Sequence, residues 1–154
     1  MLRRLFNIVK KSSNFVEKVY KELDEYIGWL KKSFNVKLVV LFGSIPKNSW
    51  IVGESDVDLL IVAEGLKSTP AENYEMLKLT GIIEPLGYNP KSFLEVVRNL
   101  KNFVVFDAFE NGKIVYAEDE YLNKVKILVE EVKKKYGLKR DEKGWSFHIK
   151  QELS

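Results

Sequence analysis

Two aspartates one residue apart, Asp56 and Asp58, open the apolar run "VDLLIVA" that reaches Ala63. Residues two apart on a strand share a face. The two carboxylates therefore stand side by side, with Val57 pointing the other way. Such a pair repels itself, and burying an unpaired charge is costly. Two arrangements relieve it: both groups exposed after a turn at Ser55-Asp56, or a cation held between them. The preceding apolar run, "VKLVVLF" from Val36 to Phe42, ends in Gly43-Ser44. A glycine there lets backbone amides approach an anion closely. An anion cradle beside paired carboxylates is an arrangement for phosphate transfer. Its oxygen donors suit Mg²⁺, which is held by one or two carboxylates together with substrate phosphates and water.

The elements that must bring these groups together are legible from period and punctuation. Both apolar runs lack clean alternation from their middles onward, as expected of buried strands covered on both faces. Ahead of them, Phe15, Val19, Leu23, Tyr26, Ile27 and Leu30 recur at helical spacing, with Ser13 or Asn14 as a cap. Leu2, Leu5, Phe6 and Val9 predict a separate short helix before that cap. Thr69 and Glu72 form a capping box with Pro70 at the first helical position, predicting a helix to about Leu79. "IIEPLGY", Ile82 to Tyr88, reads as a third strand near a sheet edge, because Pro85 cannot donate to a ladder. Asn89-Pro90 opens a helix to about Leu100. The stretch from Asn102 to Gly112 fits strand or helix; its length, its cap and its terminal glycine favour helix. "KIVYA" is a short strand. Leu122, Val125, Val129, Val132 and Tyr136 then line one face of a helix ended by Gly137. The order makes an α/β or α+β domain with a small mixed sheet flanked by helices. Residues 1–120 are expected to form it, with residues 121–154 as a C-terminal helix and tail packing on it or on a partner.

Bulk properties narrow the class. The chain has 154 residues, 45% hydrophobic and 31% charged, enough for one domain with a real core. The net charge of +3 is small and its lysines are scattered, which argues against a nucleic-acid groove. The absence of cysteine removes disulfides, thiolate metal sites and cysteine nucleophiles. The charged N-terminus makes a poor signal peptide, and no window approaches 18 uninterrupted apolar residues. A cytoplasmic protein without membrane attachment is the expectation.

"LFGS", eleven residues, and then "DVDLLIV" resembles the nucleotidyltransferase signature of the DNA polymerase β superfamily. In that signature a hydrophobic residue and a Gly-Gly or Gly-Ser pair precede, by about ten residues, an Asp-hydrophobic-Asp-hydrophobic run. Phe42, Gly43, Ser44, Asp56, Val57, Asp58 and Leu59 all match. The likeness is nearest to the minimal nucleotidyltransferases of prokaryotes, and extends loosely to about Ala117. It implies that Gly43 and Ser44 hold a nucleoside triphosphate, ATP being the expected one. It also implies that Asp56 and Asp58 bind divalent metal, Mg²⁺ or Mn²⁺, and that a third carboxylate comes from a later strand. Glu84, the acidic residue of "IIEPL", is the choice for that role, with Asp107 as the second candidate. Many relatives carry arginines after the Gly-Ser pair. Here "IPKNSWIVG" leaves Lys47 to meet the phosphates and Trp50 as a candidate for stacking on a base.

The reaction so implied is metal-assisted, in-line transfer of a nucleoside monophosphate to a hydroxyl, with pyrophosphate leaving and a carboxylate accepting the proton. The acceptor is a protein or other hydroxyl compound. The family's minimal members often work with a separate helical partner, some as antitoxins that adenylylate a toxin. A partner in trans or a homodimer is expected, with the Tyr121–Tyr136 helix as a docking surface. The altered loop after Ser44 supports a second reading, a non-catalytic module of the same fold that acts by protein contact alone. His148 is the chain's single histidine and can form no metal cluster by itself.

Overall fold

A computed structural model describes residues 2–43, 57–79, 81–141 and 144–146, with side chains described within those ranges from Glu17 to Lys139. The elements run α1 (Leu2–Ser33), β1 (Asn35–Phe42), β2 (Val57–Glu64), α2 (Pro70–Leu77), β3 (Ile83–Tyr88), α3 (Pro90–Arg98), α4 (Phe103–Asn111), β4 (Lys113–Ala117), α5 (Asp119–Tyr136), β5 (Lys139–Asp141) and β6 (Gly144–Ser146). Four strands form a mixed sheet in the order β3-β2-β1-β4. β1 is antiparallel to both β2 and β4, while β2 and β3 are parallel and joined through α2. The α+β class with a small mixed sheet is the one the sequence predicts, and β3 lies at an edge, as Pro85 requires.

Both faces of the sheet are covered, which explains the unbroken apolar runs of β1 and β2. On one face Val19, Leu23, Ile27 and Leu30 of α1 pack with Leu77 of α2 over Val39, Leu41, Leu59 and Ile61. On the other, α3, α4 and α5 supply Phe93, Val97, Phe106, Val125 and Val129 over Leu38, Val40, Leu60 and Val62. The apolar stripe of α5 is therefore buried in the chain's own core. Its exposed apolar residue is Ile127, 62% accessible. No helix among the described residues is long and apolar enough to cross a membrane.

Two elements differ from the sequence expectation, and one stretch read as strand or helix is the helix that the reading favoured. α1 is one helix of 32 residues, not a short helix followed by one capped at Ser13 or Asn14. No proline or glycine lies between Leu2 and Ile27. Interior Ser and Asn cost at most about 0.7 kcal/mol each relative to Ala, less than interrupting a cooperative ladder. The ambiguous stretch after Asn102 is the helix α4, with the Asn102 side chain accepting from the Val104 N–H. Its close at Gly112 is steric: a Cβ there would stand 2.3 Å from the Ala108 carbonyl and 2.8 Å from that of Leu41. The second difference is the small hairpin β5–β6, which pairs Lys139 with Ser146 and Asp141 with Gly144. Strands of three residues carry no readable alternation. Phe147 and His148 lie outside the described residues.

Candidate active site

The end of β1, the start of β2 and the start of β3 meet at one end of the sheet. Phe42 is opposite Asp58 across the antiparallel pair, and Asp58 is in register with Glu84 across the parallel pair. By the two-residue period, all three belong to the face that carries Leu60, Val62 and Leu86. Adjacent strands lie about 4.8 Å apart, so Asp58 and Glu84 start from neighbouring backbone positions. The sequence reading pairs Asp58 with Asp56, two residues apart along one strand. The structure adds this second pairing across strands.

Gly43 follows β1 with φ of 87°, a left-handed conformation that glycine adopts without strain. A Cβ built on it would stand 2.3 Å from Oδ2 of Asp58. The Asp58 carboxylate thus occupies the space a side chain at position 43 would need. The Gly residue is required twice over, by backbone geometry and by the aspartate lying against it. Asp58 is half-buried.

Glu84 is held through both carboxylate oxygens. Lys78 donates to Oε1 at 2.5 Å, and the Tyr74 hydroxyl donates to Oε2 at 3.0 Å. The Lys78 hydrogen bond, aided by that from Tyr74, keeps the Glu84 carboxyl below the usual carboxylate range. Lys78 also donates to the carbonyls of Ile83 at 2.9 Å and Gly81 at 3.3 Å. All three donors of its ammonium are thereby engaged. Tyr74 and Lys78 are four residues apart, one helical turn, and so present to the same side.

A buried polar residue fixes α2 in this position. The Asn73 side chain accepts from the Lys67 N–H and donates to the carbonyls of Lys67, Thr69 and Gly87. It ties the connection after β2, the first turn of α2 and the end of β3 together. Gly87 admits α2 closely, since a Cβ there would stand 2.4 Å from Cδ1 of Leu77. Across the same helix, the buried Tyr26 hydroxyl of α1 donates to the Leu77 carbonyl at 2.6 Å.

Of the residues singled out from sequence, Gly43, Asp58 and Glu84 are brought to one end of the sheet. Ser44, Lys47, Trp50 and Asp56 lie outside the described residues. Asp107 is on α4, where its Oδ1 accepts from the Asn111 side chain at 3.2 Å. Among the described residues no three acidic or histidine side chains converge on one ion position. Asp58 and Glu84 nevertheless suit Mg²⁺ or Mn²⁺ in donor chemistry, being hard oxygens on neighbouring strands. The sequence reading missed Tyr74 and Lys78. Their four-residue spacing was visible; their direction toward Glu84 depends on the packing of α2. A cavity of about 570 Å³ is at the opposite end of β2, lined by Glu64, Gly65, Ser68, Asn89, Lys91 and Glu95 among others.

The family model for "Polymerase beta, Nucleotidyltransferase" matches residues 24–121, from the middle of α1 to the first turn of α5. The chain belongs to this family. A Methanocaldococcus jannaschii protein, provisionally named a protein adenylyltransferase, is 28% identical over 123 residues, covering 72% of this chain and 83% of that protein. Among solved structures, a crystal structure of a protein provisionally named a nucleotidyltransferase, from Sulfolobus solfataricus, is 16% identical. It covers 72% of this chain and 87% of its own, with a TM-score of 0.48. The general activity class of this polymerase β family member is nucleotidyl transfer. Its matched region contains the whole four-stranded sheet and every residue named above as a site candidate.

Proposed function

We propose that this protein transfers a nucleoside monophosphate from a triphosphate, ATP, to a hydroxyl group of a protein acceptor. The single observation that supports it most is the register of Asp58 with Glu84, beside a left-handed Gly43 on which Asp58 lies. In this reading Asp56, Asp58 and Glu84 hold Mg²⁺ or Mn²⁺, and Gly43, Ser44 and Lys47 take the triphosphate. A divalent ion, when bound, offsets charge on the phosphates as pyrophosphate departs. The Asp58 carboxylate lies in the space that a side chain at Gly43 would fill. Glu84 is ionised at neutral pH and available as an oxygen donor. A carboxylate of the set accepts the proton of the attacking hydroxyl, so that the O–P bond forms while the bond to pyrophosphate breaks. The choice of ATP and of a protein acceptor rests on the name of the Methanocaldococcus relative. The acceptor is a separate helical partner, in an antitoxin-like pairing, or a second copy of the chain. The site of action is the cytoplasm.

One observation favours the second reading, a module that acts by contact without catalysis: both Glu84 oxygens are already engaged by Lys78 and Tyr74. Incubation with Mg²⁺ and ATP labelled at the α-phosphate separates the two. Transfer of label to protein, lost in Asp58→Ala while the circular dichroism spectrum is kept, is the expected result. Label transfer that survives Asp58→Ala rules out the metal-site assignment.

A further inference from the structure

The feature that the proposed reaction leaves unexplained is Lys78. Its side chain is 22% exposed, and its ammonium is surrounded by three oxygens: the Gly81 carbonyl, the Ile83 carbonyl and Oε1 of Glu84. Two of these are backbone atoms, the Ile83 carbonyl at the first residue of β3 and the Gly81 carbonyl two residues before it. The third is the carboxylate in register with Asp58. A cation in an all-oxygen shell thus already stands at the head of the sheet, on one of the acids assigned to the metal. The sequence between Ser44 and Asp56 contains a single cationic residue, Lys47, and one acid, Glu54. Beside the divalent ions of the proposed reaction, a lysine near Glu84 is a further positive charge that a triphosphate could meet.

We propose that Lys78 is a placeholder cation. It neutralises Glu84 before a divalent ion binds, gives up that carboxylate when Glu84 turns toward Asp58, and then offers its freed N–H to the triphosphate. The two backbone carbonyls keep the ammonium in place throughout, so the exchange needs a rotation of the Glu84 side chain and no movement of α2. The role explains why Glu84 is engaged in the structure and still fits a metal site. It makes Lys78 a positioning residue for Glu84 and a direct ligand of the phosphates. It rests on the assignment of Asp58 and Glu84 as metal ligands.

The exchange predicts opposite effects on two affinities. Mn²⁺ binding to the full chain is read from the electron paramagnetic resonance signal of the free ion. Nucleotide binding is then read with α,β-methylene-ATP in saturating Mn²⁺. Lys78→Met removes the competing cation, so Mn²⁺ binds about fivefold more tightly, the scale of one exposed ion pair. The same variant binds the nucleotide about fivefold more weakly. Lys78→Gln, which can still hydrogen-bond the two carbonyls without charge, serves if Lys78→Met fails to fold, and moves both affinities the same way. Lys78→Arg keeps Mn²⁺ affinity near that of the parent. A lysine that only fastened α2 to β3 would, when removed, loosen Mn²⁺ binding or leave it unchanged, and either result overturns the exchange. Unchanged nucleotide affinity overturns the phosphate contact. Failure of the underlying assignment looks different: Asp58→Asn then binds Mn²⁺ as the parent does, whatever Lys78 variants do.

Discussion

Lysine–glutamate clusters stand at both ends of the sheet, and they are built differently. At the end away from Asp58, Lys37 of β1 meets Glu118 at 2.5 Å and Glu64 at 3.8 Å. The adjoining cavity is lined by Lys37, Lys91 and Lys124 and by Glu64, Glu118 and Glu120, so cations and acids balance. That cluster staples three strands at their ends. At the other end Lys78 is anchored by backbone carbonyls, and its one carboxylate partner is in register with another, Asp58. Sequence adds Asp56 next to it. Of the groups described there, two are acids, Asp58 and Glu84, and one is a lysine, Lys78. A balanced cluster can only hold the fold together, whereas an unbalanced one is costly unless it binds something. The cavity of about 570 Å³ lies at the Lys37 end, away from the residues proposed for the reaction.

The contrast breaks most visibly at Asp58. Asp58→Asn keeps size and hydrogen-bonding reach but removes the charge, and nucleotidyl transfer should fall by about a thousandfold or more. Labelled nucleotide incorporation measures it, and a loss under tenfold would take Asp58 out of the site. Glu118→Gln at the balanced end should leave transfer within about twofold of the parent, since nothing there touches the proposed reaction.

Gly43→Ala comes next. The alanine must hold a φ of 87° and its Cβ must displace Oδ2 of Asp58. The backbone strain is about 1–2 kcal/mol. Displacing a reacting group by about 1 Å costs on the order of a hundredfold in rate. A variant that melts lower but transfers at the parent rate would show that the carboxylate is placed by something other than Gly43.

Asn73→Ala tests the support beneath the unbalanced end. It strips four hydrogen bonds, one buried and three partly buried, from the joint between α2 and β3. A loss of about 2 kcal/mol follows, or a fall of roughly 4–8 °C in Tm for a chain of this size. Amide exchange should quicken at Leu86 to Tyr88 and remain slow at Leu38 to Leu41. Uniform quickening along the sheet would mean that α2 does not support the site locally.

These outcomes also show what could be read without coordinates. The strands announce themselves because β1 and β2 are buried on both faces, and Pro85 marks β3 as an edge. The caps at Thr69, Asn89 and Asn102 are short-range chemistry, and each is made by the side chain expected. Gly43, Asp58 and Glu84 could be singled out as candidates because a motif contains two of them and a strand isolates the third. Other features depend on long-range packing. That Glu84 falls beside Asp58 follows from parallel pairing through α2, which no local pattern specifies. That Tyr74 and Lys78 turn toward Glu84 follows from Asn73 and Gly87, whose significance is invisible until α2 lies on β3. The unbroken α1 was misread for a different reason: Ser12-Ser13-Asn14 has the composition of a helix start, yet the cost of continuing through it is small.

The smallest effect belongs to the balanced end, and its pH dependence has a definite sign. Hydrogen bonding to Glu118 raises the Lys37 pKa above its ordinary value, against a smaller opposing effect of burial. A group whose folded pKa is raised stabilises fully below its unfolded value and loses that contribution as pH climbs through the folded one. The unfolded value for lysine is about 10.4. The difference in Tm between the parent chain and Lys37→Met should therefore be level from pH 7 to about pH 10 and close above about pH 10.4. Thermal melts across that range read it directly. A difference that closes already near neutrality would mean that the packed stem of Lys37, and not its charge, joins β1 to its neighbours; the cluster would then cease to be an electrostatic counterpart of the one at Lys78.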